Sequence, residues 1–379
     1  MHFRLEAGNQ IVIVRIIIAL SLAMLGTVWS VFLLHLGLSE AQIGLYSSFV
    51  MFLAVSASFI VPFLLQRFRK GILVLWCVFI PALLYFLVGA YQSFLIFAIA
   101  TSLAAVLQVI RVNAFDILMH DATSKQTYSQ LQGLHYSLLN VMWLTGPLLT
   151  GFFLAHYSYD VVFYVIGGLF LLAAFIFIFF HIKEHLHQFT NIRFPVISYL
   201  KDTRQRLPYL LSFGTHSWWS LGEIYFPIFL ITSGAGVQYV AIFMALWCVP
   251  PIIMEYPIGR LAKKIPLKHF FRIGFFGLFV IAVSCFFIDN IWIIFWLLIL
   301  SGAFASLIEP LNEPFFFART KSKDEANFLP FFITSKFLGP AISRGVTGLV
   351  LLVLVNQYAY LVFALICLLC FIGALFVKR

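Results

Sequence analysis

Gly259-Arg260-Leu261-Ala262-Lys263-Lys264-Ile265-Pro266-Leu267-Lys268 is a short cationic loop between two apolar runs, at about 237–259 and 268–288. Each run is of roughly membrane-spanning length, about 20 residues. Moving outward in either direction, the next connections (233–238 and 289–290) carry no lysine or arginine, and the ones beyond carry them again. The alternation holds over the whole chain. Basic connections contain Arg67, Arg69 and Lys70; Lys125; Lys183, Arg193, Lys201, Arg204 and Arg206; Arg260 to Arg272; and Arg319, Lys321 and Lys323. The connections near 37–40, 90–92, 156–160 and 356–357 have none. Cationic loops resist translocation, so this pattern predicts twelve crossings with both termini in the cytoplasm.

Composition agrees. Hydrophobic residues are 63% of 379 and charged residues 10%, with mean hydropathy +1.02, whereas soluble domains run near 45–50% and 25%. The apolar runs are continuous, which excludes a barrel of short alternating strands. The class is an all-α polytopic membrane protein. The net charge of +10 resides in cytoplasmic loops facing anionic lipid, so it predicts a membrane-surface partner and no nucleic acid. All five cysteines lie in predicted spans, which argues against a disulfide framework; Cys367-x-x-Cys370 reads as apolar filler.

The predicted spans are approximately 11–36, 41–65, 71–90, 93–118, 128–155, 161–180, 207–232, 237–259, 268–288, 291–316, 327–354 and 358–377. They divide into a six-helix bundle at 1–180, a cytoplasmic linker at 181–206 and a second six-helix bundle at 207–379. Within the linker, Phe194–Arg206 mixes apolar and charged residues as an amphipathic helix on the leaflet would. The halves echo one another: Arg111 in helix four matches Glu309 in helix ten, and Gly146-Pro147 in helix five matches Gly339-Pro340 in helix eleven. Two six-helix repeats place a substrate site at mid-membrane.

On these residues the chain resembles the major facilitator superfamily of transporters over essentially its whole length. Gly259–Lys268 is similar to that family's signature between helices eight and nine, with Lys263 at the usual acidic position and Pro266 at the usual second glycine. Pro62–Lys70 is a more degraded first-half copy. Leu144-Thr-Gly146-Pro147-Leu-Leu-Thr150-Gly151 resembles the antiporters' glycine-proline motif, and Leu107-x-x-x-Arg111 its arginine motif. The resemblance implies two pseudo-symmetric six-helix bundles with helices one, four, seven and ten lining a cavity.

An ionisable group in hydrocarbon costs at least about 2.5–3.5 kcal/mol, so each needs a reason. Nine qualify: Arg15, Arg111, Asp116, Glu223, Glu255, Glu309, Glu313, Lys336 and Arg344. Helices three, six, nine and twelve hold none in their interiors, as outer helices should. Depth, at about 1.5 Å per residue, matches Glu223 with Arg344, and Arg111 or Lys336 with Glu309. Arg111, His216, Trp219, Glu223, Lys336 and Arg344 are the candidate substrate-binding residues. His216, Trp219, Ser220 and Glu223 share one helical face, suited to an amphipathic or cationic ligand. Glu309, Glu313 and Asp116 are candidate proton-coupling or gating carboxylates. Glu309-Pro310 and Glu313-Pro314, and Pro250-Pro251 in helix eight, predict kinks or bending points. His181, His185 and His187 beside Glu184 read as a solvated turn rather than a metal site.

No nucleophile set, metal set or phosphate loop is present, so the expectation is a non-enzyme without cofactor. It would be a monomeric secondary transporter in the plasma membrane, moving a small solute by alternating access. Proton-coupled export of an amphipathic compound is the leading form. Uptake of an organic anion is the alternative, with Arg111, Lys336 and Arg344 holding a carboxylate or phosphate. A membrane-embedded enzyme or sensor using the same cavity is a third reading.

Overall fold

The computed structural model describes residues 7–123, 125–180, 196–321 and 324–377. The histidine cluster at 181–187, and Phe194 of the linker, lie outside them. Among the described residues the structure is helical without strands. In chain order come α1 (Ala7–His35), α2 (Glu40–Arg67), α3 (Lys70–Tyr91), α4 (Phe94–Asp121), α5 (Lys125–His156) and α6 (Tyr159–Phe180). A short α7 (Val196–Lys201) precedes helix seven, which has three pieces: α8 (Thr203–Ser220), a π-helical turn (Leu221–Tyr225) and α9 (Phe226–Thr232). Helix eight is α10 (Val237–Trp247) and α11 (Val249–Leu261); helix nine is α12 (Leu267–Phe287). Helix ten is α13 (Ile291–Ser306), a 3₁₀ turn (Glu309–Leu311) and α14 (Asn312–Arg319). Helices eleven and twelve are α15 (Glu325–Val350) and α16 (Gln357–Leu375). The twelve expected crossings are therefore twelve rods, three of them broken.

Ten rods are long and apolar enough to cross a membrane. The other two are helix seven and α15, which carry the polar and charged residues that face one another below. Their hydrophilicity is satisfied inside the protein, as the cost of exposing it to lipid requires.

Two compact units result, Met1–Leu36 with Ser56–Asn191, and Gly37–Val55 with Ile192–Arg379. In the first, α1 packs on α5, α6 and α4, and α3 packs on α6 and α4. In the second, α8 packs on α15, α16 and α14, and α12 packs on α16 and α13. Moving each helix on by six positions converts the first pattern into the second. Local sequence repeats with it. Gly37 (φ 86°) and Gly234 (φ 85°) turn the first connection of each half, a left-handed conformation open to glycine. Ser93 caps α4 by accepting from the Ile96 N–H at 3.3 Å, and Asn290 caps α13 by accepting from the Trp292 N–H at 2.9 Å.

The glycine-proline elements also do one job twice. A Cβ on Gly146 would stand 2.5 Å from Ala23 Cβ and 3.0 Å from Met24 N on α1. One on Gly339 would stand 2.5 Å from Phe213 O on α8. In both halves the glycine lets two membrane helices approach backbone to backbone. Tyr199 of α7 is buried among Phe316, Phe328, Phe331 and Phe332 of α14 and α15, so this face meets protein rather than lipid. Asp202 then caps α8 through the Arg204 N–H at 3.0 Å.

Candidate functional site

Helix seven is tied to helices ten and eleven along its length. From its N-terminal end, Gln205 donates to Thr320 (3.1 Å), Tyr209 meets Thr334 (3.1 Å), Ser335 donates to Ser212 (2.7 Å) and Asn312 donates to Thr215 (3.2 Å). Deeper, the Trp218 indole donates to Ser301 (3.2 Å) and the Trp219 indole to the Glu309 carboxylate (2.9 Å). Last comes Arg344, whose Nη2 donates to Glu223 at 2.7 Å and whose Nε donates to Ser220 at 3.1 Å. Its carbonyl accepts the Tyr225 hydroxyl at 2.5 Å.

Each break in this half follows from a proline. A proline ring clashes with the carbonyl four residues earlier. Pro227 does this to Glu223, and the π turn Leu221–Tyr225 absorbs the misfit with one surplus residue. Pro250 and Pro251 displace the carbonyls of Leu246 and Trp247, and α10 ends there. Pro310 frees Ser306, and the chain continues through 3₁₀-type bonds such as Ile308 N to Ala305 O at 2.9 Å. Broken helices are tolerated in a membrane where protein or a cavity re-satisfies the backbone.

The three breaks meet at one place. The Trp247 ring fills the space of the missing Gly222 side chain in the π turn, where a Cβ would lie 2.0 Å from it. The same ring crosses Trp219 edge to face at 4.7 Å, and its backbone carbonyl lies against Gly302 of α13. Trp219 in turn holds Glu309 at the helix-ten break. Glu309 is also within electrostatic reach of Glu255, Lys336 and Glu223, and Cys248, at the helix-eight break, is within reach of Glu223 and Glu309.

The ionisable residues sort as follows. Glu223 and Arg344 meet as their depths predict. Lys336 bonds Glu313 at 2.7 Å, not Glu309 as matched depth suggested. A continuous helix would put Glu309 and Glu313 on one face, one turn apart. The 3₁₀ turn instead rotates Glu309 towards Trp219 and leaves Glu313 facing α15. His216, bonded at Nδ1 to the Ser212 carbonyl at 2.8 Å, stands beside the Lys336–Glu313 pair. In the first unit Arg15 bonds Asp116 at 2.8 Å. Arg111 is buried over the Phe170 ring at 5.4 Å, and among the described residues no carboxylate lies within ion-pair distance of it. In all three pairs the cation is the more buried member: the Arg344 side chain is 7% exposed and Glu223 39%. Sequence reasoning missed Trp247, Cys248 and Tyr225; the usable signal was a proline four residues beyond Glu223. The cysteines of α16, Cys367 and Cys370, are buried and free.

Set against known proteins, the family model described as Major Facilitator Superfamily matches residues 11–249 and 209–379. No curated protein matches the sequence. Among solved structures, the chain is similar to a peptide transporter POT in complex with sulfate, at 12% identity, TM-score 0.78, covering 98% of this chain and 93% of that one. The nucleoside transporter NupG is similar at 14% identity, TM-score 0.78, covering 99% and 100%. A D-xylose-proton symporter is similar at 12% identity, TM-score 0.75, covering 98% of each. At such identities the likeness concerns the fold.

Proposed function

The chain belongs to the Major Facilitator Superfamily, and from that membership we propose that it is a proton-coupled secondary transporter with Glu309 as its coupling carboxylate. Alternating access, with 1–180 and 207–379 as the moving halves, fits the repeat. The reading includes a plasma-membrane setting with both termini cytoplasmic, on the side the basic connections favour. One observation carries the coupling role. Glu309 sits at the helix-ten break, held by an indole N–H, and among the described residues no cation lies within ion-pair distance of it. An ionised carboxylate in that setting lacks a counter-charge, and a proton supplies one. Glu313 and Asp116 are neutralised by Lys336 and Arg15, which suits them to gating or structure. The organic-anion alternative is weakened because Arg344 and Lys336 are committed to carboxylates. The glycine-proline element packs helices identically in both halves, so no direction of transport rests on it. The D-xylose-proton symporter among the similar structures is consistent with proton coupling.

The test is reconstitution in vesicles with an imposed pH gradient and a panel of small solutes, reading substrate-dependent current on a supported membrane. The native chain should accumulate its substrate uphill. Glu309→Gln should lose uphill movement driven by the pH gradient. Uphill movement preserved in Glu309→Gln refutes the assignment.

A further inference from the structure

Of the ionisable residues that the sequence places within spans, four carboxylates and two cations belong to the second unit. Arg344 neutralises Glu223 and Lys336 neutralises Glu313. Glu255 and Glu309 are left, within electrostatic reach of one another, and among the described residues neither has a cation within ion-pair distance. Two uncompensated negative charges in a low-dielectric setting call for positive charge from outside the chain.

The surroundings of Glu309 favour an organic cation over a hard metal ion. Trp219 and Trp247 cross at 4.7 Å with 65° between their planes, and Trp247 stacks on Phe243 at 5.5 Å. An ammonium gains from an aromatic face as well as from a carboxylate, whereas a hard metal ion asks for several oxygen ligands. Among the described residues no group of three metal-ligating side chains exists.

A second, independent feature concerns hydrogen bonding. The Trp247 indole N–H is buried and bonds no other described residue, and Trp247 is only 3% exposed. The benzo ring, with Cη2 and Cζ3 nearest, lies against Gly222, and the N–H belongs to the other ring, outside that contact. A buried donor without an acceptor has lost its hydrogen bond to water and gained none in return. A ligand oxygen at the N–H restores that bond.

We propose that the junction of the three helix breaks is a binding site for an organic ammonium carrying an oxygen acceptor, with Glu309 as the counter-ion, Trp219 and Trp247 as walls, and the Trp247 N–H donating to the oxygen. This rests on the transporter reading and names its substrate class. Trp219 has a positioning role: its N–H fixes the carboxylate oxygen that the ammonium meets.

Choline, tetramethylammonium and 3,3-dimethylbutan-1-ol are the probes. Choline has both charge and oxygen, tetramethylammonium lacks the oxygen, and the alcohol is choline's uncharged isostere. Each is titrated against the full-length purified protein in amine-free phosphate buffer, following tryptophan fluorescence and the unfolding midpoint. Choline should bind at least about tenfold more tightly than the alcohol and more tightly than tetramethylammonium. Glu309→Gln should erase the first preference, and Trp247→Phe the second. Equal binding of choline and the alcohol to the native chain overturns the proposal, as does the absence of any cation response up to about 50 mM, roughly a −2 kcal/mol interaction. That comparison uses no variant, so a poorly folding variant leaves the test intact. Binding needs no gradient. A choline preference without gradient-driven flux sinks the transporter reading and keeps this site, and flux of a neutral or anionic solute without ammonium preference does the reverse.

Discussion

Replacing Glu223 by leucine and replacing Arg344 by methionine break the same 2.7 Å ion pair, but the two changes should differ in cost. Glu223→Leu strands a guanidinium whose side chain is 7% exposed and whose remaining side-chain partner is the Ser220 hydroxyl. The Arg344 carbonyl is pinned by Tyr225, so the backbone cannot carry the charge towards water. A stranded buried charge costs about 3–5 kcal/mol. Arg344→Met strands a carboxylate that is 39% exposed and retains access to water or a proton. The loss is then closer to that of one charge-assisted hydrogen bond, about 1.5–3 kcal/mol. The double variant replaces the pair with apolar volume and should lie within about 2 kcal/mol of the native chain. Unfolding of the purified protein in mixed micelles of increasing denaturing detergent, followed by helicity, gives the three values. The coupling energy should be at least about 2.5 kcal/mol, at or above the upper end for residues in contact. Additive losses, or a costlier Arg344→Met, refute the reasoning.

Three further outcomes follow from other features. In a background lacking Cys77, Cys248, Cys285, Cys367 and Cys370, single cysteines placed at Ser233 and Lys264 should be labelled from opposite sides of an intact membrane; labelling from one side removes the topology. Gly339→Val should destabilise by about 1–3 kcal/mol or more, because the new Cβ meets the Phe213 carbonyl at 2.5 Å; an unchanged unfolding midpoint excludes the close approach of α8 and α15. Asp202→Ala should cost about 1 kcal/mol as a lost cap. The Arg204 side chain bonded to Asp202 holds its carboxyl below the ordinary carboxylate range. The stabilisation is therefore complete above about pH 4 and fades as pH falls through the depressed folded value, so native and variant stabilities measured from pH 7 to pH 3 should converge at the acid end.

The division into twelve rods was legible because apolar runs and the connections between them act one segment at a time, with no need of tertiary contacts. The pairing of Glu223 with Arg344 was legible for a similar reason: two charges at one depth on different helices have little choice. Lys336 had a choice, and depth alone could not make it. The 3₁₀ turn at Glu309–Leu311 rotates one glutamate away, and that rotation depends on Pro310 together with the Trp219 indole. The polar seam was harder still. Thr215, Ser217 and Thr334 each bond a carbonyl three or four residues back, so in the sequence they ask for no partner across the bundle. Trp247 read as one aromatic among many in a chain that is 18% aromatic. Only the meeting of Gly222 with the end of α10 sets it apart.

The π turn gives helix seven one residue more than its length requires. In most membrane helices a single deletion swings every later side chain by about 100° and leaves the helix with no good arrangement to adopt. Here a deletion within Leu221–Tyr225 has an α-helix kinked at Pro227 to relax into. It would carry Tyr225 away from the Arg344 carbonyl and alter where Glu223 points, while Gln205, Tyr209, Ser212 and Thr215 keep their places. The segment is a splice point in the mutational sense, where the length of the chain can change by one without dissolving the rod.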